Sequence, residues 1–71
     1  MEKKQNNNLG LKIKKLRKKQ GLSQDELARK ADIPYTTLTK IEIGVIKNPS
    51  FDSVSKIAEA LGITLDDLKN D

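Results

Sequence analysis

Residues 24–43 contain the pattern that most limits how this chain can fold, which is two short helices joined by a tight turn. Ser23 and Glu26 have the S-x-x-E spacing of a capping box, so a helix is predicted to begin directly after Ser23. Ala28 has the small side chain that two helices need where they cross steeply over a short turn. Asp32 tolerates the left-handed backbone expected after the helix end, and Pro34 fits the first position of a second helix.

The second of these helices separates apolar from polar side chains. At about 100° per residue, Leu38 and Ile41 fall on one side, which predicts that they are core residues. The opposite side presents a cation, hydroxyls with methyl groups, a phenol and an isoleucine: Tyr35, Thr36, Thr39, Lys40 and Ile43. Such groups suit base edges in a DNA major groove, where Lys donates to guanine and a Thr methyl contacts a thymine methyl. The alternative interpretation is a set of ordinary exposed residues.

Cysteine and histidine are both absent from the 71 residues. Their absence excludes a disulfide framework, the usual zinc sites and histidine-based acid–base catalysis. The sequence also has no glycine-rich phosphate loop and no carboxylates gathered into a cleft, so we expect no enzyme, no cofactor and no metal. No signal peptide or apolar run of about 18 residues is present, which predicts a soluble, cytoplasmic protein without membrane contact.

Positive charge is concentrated at the start of the chain. Residues 1–20 contain eight Lys or Arg and one Glu, whereas residues 48–71 contain two Lys and five acids. A basic front favours a polyanionic partner whose phosphate contacts weaken as the salt concentration rises. A lysine-rich helix that is merely solvated is an equally open interpretation.

Cap signals and apolar spacing predict five helices and no strand, and therefore an all-α domain. Gly44 is expected to end the third helix, Ser50 to cap the fourth, and a T-x-x-D signature at Thr64 to begin the last. The predicted segments are a disordered basic arm at 1–8, a first helix at about 9–20, the helix pair, a fourth helix at about 51–61 and a short fifth helix.

Longer motifs surround these positions: GLSQDELA at 21–28, TTLTKIE-x-G at 36–44, NPSFDSVSKIAEALGI at 48–63 and TLDDL at 64–68. Together, over residues 9–70, they resemble the Xre and Cro/phage-repressor family of helix-turn-helix proteins. The resemblance implies a compact, five-helix, lambda-repressor-like domain in which helices 2 and 3 form the helix-turn-helix. It also implies a sequence-specific, double-stranded DNA-binding transcription regulator, a repressor that binds a palindromic operator as a homodimer and is nucleoid-associated when DNA-bound.

The resemblance gives roles to individual residues. Arg17 and Glu42 match an ion pair that would hold the first helix against the third, the alternative being two unpaired surface charges. Thr36 and Lys40 rank highest among the base-reading candidates Tyr35, Thr36, Thr39 and Lys40. Phosphate contacts are expected from helix starts, the flank of the third helix and the loop before the fourth, namely from Ser23, Gln24, Thr37, Lys47, Asn48 and Ser50.

Ile43 departs from the family pattern, because relatives usually carry a polar or charged residue at this position. Three interpretations stay open: contact with a thymine methyl, a subunit interface, and local packing against the 45–49 loop. The candidate interface residues are Ile43, Val45, Ile46, Leu65 and Leu68. An antitoxin or protein-bridging module with the same fold, and with a toxin or another protein as partner, is the alternative function.

Overall fold

Five helices make up the computed structural model, which describes residues 8–69. They are α1 (Asn8–Lys19), α2 (Gln24–Ala31), α3 (Tyr35–Glu42), α4 (Phe51–Leu61) and α5 (Leu65–Lys69), and no strand occurs within this range. The all-α architecture predicted from the sequence is therefore confirmed. Helix α1 begins at Asn8, one residue earlier than predicted, and the rest of the predicted arm lies outside the described residues.

The helices begin where side-chain caps allow them to begin. Ser23 Oγ accepts from the backbone N–H of Glu26 at 3.0 Å, and Glu26 Oε1 accepts from the backbone N–H of Ser23 at 2.8 Å. The backbone and hydroxyl hydrogen bonds from Ser23 lower the pKa of the Glu26 carboxyl, because they stabilise its charged form. Equivalent serine and threonine caps at Ser50 and Thr64 begin α4 and α5.

The core lies between α1, α2, α3 and α4, and α5 closes one end. Its largest fully buried side chains are Ile13, Leu27, Leu38, Ile41, Ile57 and Leu68. Burial of each such side chain contributes about 1.5–3 kcal/mol, so these residues fix how α2 and α3 sit on the domain. A hydrogen bond of 2.8 Å from Gln20 Nε2 to the carbonyl of Leu61 also joins the residue after α1 to the end of α4.

Helix α1 crosses the C-terminal end of α3 at Gly10, which is buried. A Cβ atom at this position would collide with the backbone carbonyl oxygen of Ile41 and lie 2.9 Å from that of Glu42. Backbone cannot withdraw as a flexible side chain can, so only glycine permits this approach without a shift of the helices. Gly10 thereby sets the distance between α1 and α3.

Within the described range, the chain has no helix whose length and apolar character would allow it to span a membrane.

Candidate nucleic-acid interface

Helices α2 and α3 are joined by the turn at residues 32–34. Asp32 takes the left-handed conformation expected of it, with φ 59° and ψ 46°, and its backbone N–H bonds to the end of α2. Ala28 is buried at the helix contact, as its size predicted. Pro34 is the N-cap of α3 rather than its first helical residue, with an extended ψ of 140°. The difference of one residue arises because Tyr35 is the first residue with helical geometry.

The outer face of α3 presents the residues that the helical period placed there. Leu38 and Ile41 are fully buried behind it, whereas Thr36, Lys40 and Ile43 are exposed. Thr36, Lys40 and Ile43 have the spacing i, i+4, i+7, so they form one row along the helix axis. For convenience we call these three residues the reading row.

Three further candidate residues flank the reading row. The Thr39 hydroxyl donates to the backbone carbonyl of Thr36 at 2.9 Å, so its proton is already used within the helix. Thr37 is half-buried at one edge of the face, and Tyr35 is exposed at the other edge. The Thr39 side chain therefore offers a methyl group and an acceptor, while Tyr35 offers a phenol.

A buried ion pair joins α1 to the C-terminal end of α3. Arg17 Nε donates to Glu42 Oε2 at 2.8 Å, and Arg17 Nη2 donates to Glu42 Oε1 at 3.2 Å. Arg17 Nη1 also donates to the carbonyl of Leu22 at 2.8 Å. The contact expected between Arg17 and Glu42 is therefore present, as a two-bond fork that links the end of α1 to the end of α3.

Gln24 connects the ion pair to the surface, which sequence reasoning missed. Its Nε2 donates to Glu42 Oε1 at 3.0 Å, and the Tyr35 hydroxyl lies 3.5 Å from Gln24 Oε1 as donor. The side chain of Gln24 is thus already engaged and only half-exposed. Its position at the start of α2 was visible in the sequence, but no sequence signal identifies its partner eighteen residues away.

The starts of α2 and α4 supply groups that suit phosphate oxygens. The hydroxyls of Ser23 and Ser50 accept from the backbone N–H of the third residue of α2 and α4. The backbone N–H groups before it have no partner within the helix. These N–H groups and the helix dipole favour an anion at each helix start. Lys47 and Asn48 are exposed in the loop before α4. That loop is tied to α3 by a hydrogen bond of 3.1 Å from the Ile46 N–H to the Lys40 carbonyl.

The candidate interface residues divide into three groups. Ile43 and Val45 are 68% and 64% exposed, and Ile46 and Leu65 are half-buried against the core. Leu68 is only 1% exposed, so it is not available for the interface that was predicted for it. It is a core residue, because the short helix α5 turns this side chain inward to close one end of the domain.

Phe51 is a surface residue that sequence reasoning missed. It is 73% exposed beside an open groove of about 320 Å³, whose lining is Leu9, Lys47, Asn48, Pro49, Phe51, Val54 and Leu65. Phe51 lies one turn before Val54 and extends the apolar stripe of α4 toward the start of the helix. Val54 is buried, but the rest of the domain does not cover Phe51. The position of Phe51 at the first residue of this stripe is a sequence signal that could have identified it as exposed.

No group of three or more metal-ligating side chains occurs in the described part of the chain. What the geometry offers instead is a helix with an exposed polar face, flanked by two helix starts and a lysine in a loop.

Comparison with known proteins matches residues 13–68 to the helix-turn-helix family. The control protein C.MunI of Mycoplasma sp is 44% identical over 63 residues, which are 87% of this chain and 84% of that protein. The transcriptional regulator SinR of Bacillus licheniformis is 35% identical over 63 residues, and this chain spans only 57% of its length.

Two solved structures have the same fold. SinR, described as the master regulator for biofilm formation, in complex with DNA superposes with a TM-score of 0.83 at 34% identity, covering 87% of this chain and 98% of that chain. The complex of SinR with SinI gives a TM-score of 0.85 at 33% identity, covering 89% of this chain and 61% of that chain. By fold and by sequence over most of its length, the chain belongs to the helix-turn-helix family of the Xre and phage-repressor type.

Proposed function

We propose that this chain is a DNA-binding transcription regulator rather than an enzyme, and that it recognises a specific double-stranded sequence through α3. The observation that carries the proposal is the reading row, whose three side chains are exposed while Leu38 and Ile41 anchor the opposite side of the helix. The structure of SinR in complex with DNA, which has the same fold, supports this function. The protein would then act in the cytoplasm, at the nucleoid when DNA-bound.

Base recognition is assigned to the exposed face of α3. An α-helix about 10–12 Å across fits the major groove, which is about 12 Å wide. Lys40 is suited to guanine, because its ammonium group can donate to O6 and N7, and Thr36 can donate, accept or contact a methyl group. Tyr35 and Thr39 border the reading row and add a phenol and a methyl.

Phosphate contacts are assigned to the two helix starts, the flank of α3 and the loop before α4. Lys47 supplies a positive charge, Asn48 an amide, and the capped helix starts at Ser23 and Ser50 supply backbone N–H groups. Gln24 contributes through its position at the start of α2, since its side-chain amide is bonded to Glu42. Thr37 is half-buried at the edge of α3. From there its hydroxyl would reach the sugar-phosphate backbone of the DNA rather than the bases. These contacts give affinity and register, but not sequence preference.

We further propose that two copies bind a palindromic operator and repress transcription. One recognition helix reads only a few base pairs, so useful specificity requires two half-sites about 34 Å apart. The groove beside Phe51 is the surface we assign to the second copy, because Lys47 and Asn48 border it and a dimer there would stay close to the DNA backbone. Val45 and Leu65 are the other apolar residues assigned to this contact.

A protein partner is the alternative function, in which the same fold serves as an antitoxin or a bridging module. A structure of the complex of SinR with SinI, which contains a chain of the same fold, supports this alternative. It requires an apolar surface, and the exposed side chains of Val45 and Phe51 provide one. Capture of one discrete protein in the absence of any DNA preference would favour this alternative.

Selection of bound oligonucleotides from a random double-stranded pool, at one fixed salt concentration, tests the proposal. We expect an enriched sequence with two-fold symmetry and half-site centres about 10 base pairs apart. Affinity for that sequence should exceed affinity for random DNA by at least about a thousandfold. A pool that stays unenriched after repeated rounds would overturn the proposed regulator, and an enriched site without symmetry would overturn the two-copy arrangement.

A further inference from the structure

Ile43 occupies the C-terminal end of the reading row. It lies three residues after Lys40 and seven after Thr36, so the three side chains follow one line along α3. Its backbone continues the helix, since its N–H donates to the Thr39 carbonyl at 3.0 Å and its φ and ψ are −90° and 0°. The direction of the Ile43 side chain is therefore fixed by α3 and not by the loop that follows.

The structure excludes local packing as the role of Ile43. The Ile43 side chain is 68% exposed. In the loop that follows, it is Ile46 that packs against the core. Gly44, with a φ of +87°, turns the chain away immediately after Ile43. A large branched side chain is thus left at the surface beside the polar groups of the row.

We propose that Ile43 is a specificity-determining residue that contacts the 5-methyl group of a thymine in the major groove. This inference rests on the proposed DNA-binding function. An aliphatic side chain has no hydrogen-bonding group, and among the four bases only thymine offers an apolar group in that groove. Ile43 therefore reads a methyl group, while Lys40 reads hydrogen-bond acceptors.

Helix geometry locates the thymine. Lys40 and Ile43 are about 4.5 Å apart along the helix axis, and successive base pairs are about 3.4 Å apart along DNA. The thymine contacted by Ile43 thus lies one or two base pairs from the guanine contacted by Lys40. A guanine and a nearby thymine should recur at this spacing in each half-site.

DNA fits this surface better than a second copy of the chain does. When α3 is viewed along its axis, Ile43 lies about 20° from Thr36 and about 60° from Lys40, so a protein bound over Ile43 would also cover both of them. A subunit contact here and base reading by Lys40 exclude each other. Val45 lies beyond the turn at Gly44 and is not subject to this conflict.

The test replaces each thymine of the selected site in turn by deoxyuridine, which lacks only the 5-methyl group. For the parent protein, we expect about a fourfold loss of affinity at one thymine per half-site, the effect of one buried methyl group. In Ile43→Ala this loss should disappear. In the control Leu11→Ala, which removes an exposed apolar side chain from α1, it should persist.

Each outcome decides a different point. If the parent selects a site but no deoxyuridine position matters, or if the loss persists in Ile43→Ala, the thymine contact is overturned while the proposed function stands. If no site is selected at all, the proposed function itself fails. A shift of Ile43→Ala from dimer to monomer in sedimentation equilibrium without DNA would assign Ile43 to a subunit contact instead.

Discussion

Gln24 and Glu42 are joined by a hydrogen bond of 3.0 Å from the Gln24 Nε2 amide to Oε1 of the Glu42 carboxylate. The same carboxylate accepts two hydrogen bonds from Arg17. One buried group therefore ties the start of α2 and the end of α1 to the end of α3. Tyr35 borders this network at 3.5 Å, which connects the interior of the domain to the face proposed to read DNA.

With Arg17 replaced by Ala, Gln24 would be the one side-chain donor left to the buried Glu42 carboxylate within residues 8–69. We expect Arg17→Ala to lower the free energy of unfolding by about 3 kcal/mol or more, because an uncompensated buried charge is costly. Urea unfolding followed by circular dichroism measures the loss. The control is Arg29→Ala, whose ion pair with Asp25 is largely exposed and should change stability by about 0.5 kcal/mol or less. Equally small losses in both variants would contradict the role of the Arg17 fork.

Gln24→Glu would bring a second carboxylate up to Glu42, where the amide of Gln24 now donates. We expect a loss of about 1–3 kcal/mol in the free energy of unfolding at pH 7, from the missing donor and the like charge. Acidification should recover part of this loss, because protonation of the introduced carboxyl removes the repulsion and restores a donor at that position. Gln24→Ala, the control, loses the hydrogen bond without adding charge. If the two variants showed the same change in stability between about pH 7 and pH 4, the observed contact would be refuted.

Gly10→Ala tests how closely α1 approaches α3. Alanine usually stabilises a helix interior by about 0.5–1 kcal/mol relative to glycine. Here the added Cβ would meet the Ile41 carbonyl oxygen, so we expect a net loss of about 1–3 kcal/mol in the free energy of unfolding. Lys14→Ala, at an exposed position of the same helix, should be nearly neutral. Stabilisation of the domain by Gly10→Ala would show that the two helices do not meet at this residue.

Phe51→Ser tests the proposed dimer surface. Each copy would lose one exposed aromatic anchor beside the groove, so the dissociation constant of the dimer should rise by at least about tenfold. Sedimentation equilibrium gives the constant, and circular dichroism checks that the helices remain. Leu11→Ser, which removes an exposed apolar side chain from α1, is the matched control. An equal effect of the two substitutions, or no effect of either, would refute this assignment of the interface.

Local rules were sufficient to predict most of the fold from the sequence. The bounds of α4 follow directly from its serine cap and the glycine after Leu61, and the left-handed Asp32 follows from the need to end α2. The inward Leu38 and the outward Lys40 follow from the helical period alone. These features depend on residues within about one or two helical turns of each other.

The features that could not be predicted depend on tertiary placement. The partner of Gln24 lies on another helix, and the collision that forbids a side chain at Gly10 involves the backbone at Ile41 and Glu42. Leu68 was predicted to be an interface residue by resemblance, but it points into the core, and its direction depends on how α5 docks. Apolar spacing identifies which residues share a face of α5, but not what covers that face.

We propose that the outer face of α3 reads bases while the loop before α4 binds phosphate. The most direct test compares Lys40→Ala with Lys47→Ala on the selected site and on its complete set of single-base variants. We expect Lys40→Ala to remove about 1–3 kcal/mol of discrimination at one base pair per half-site. Lys47→Ala should instead weaken binding to every variant equally and lower the salt dependence by about one counterion. Identical profiles of loss for the two proteins would contradict it.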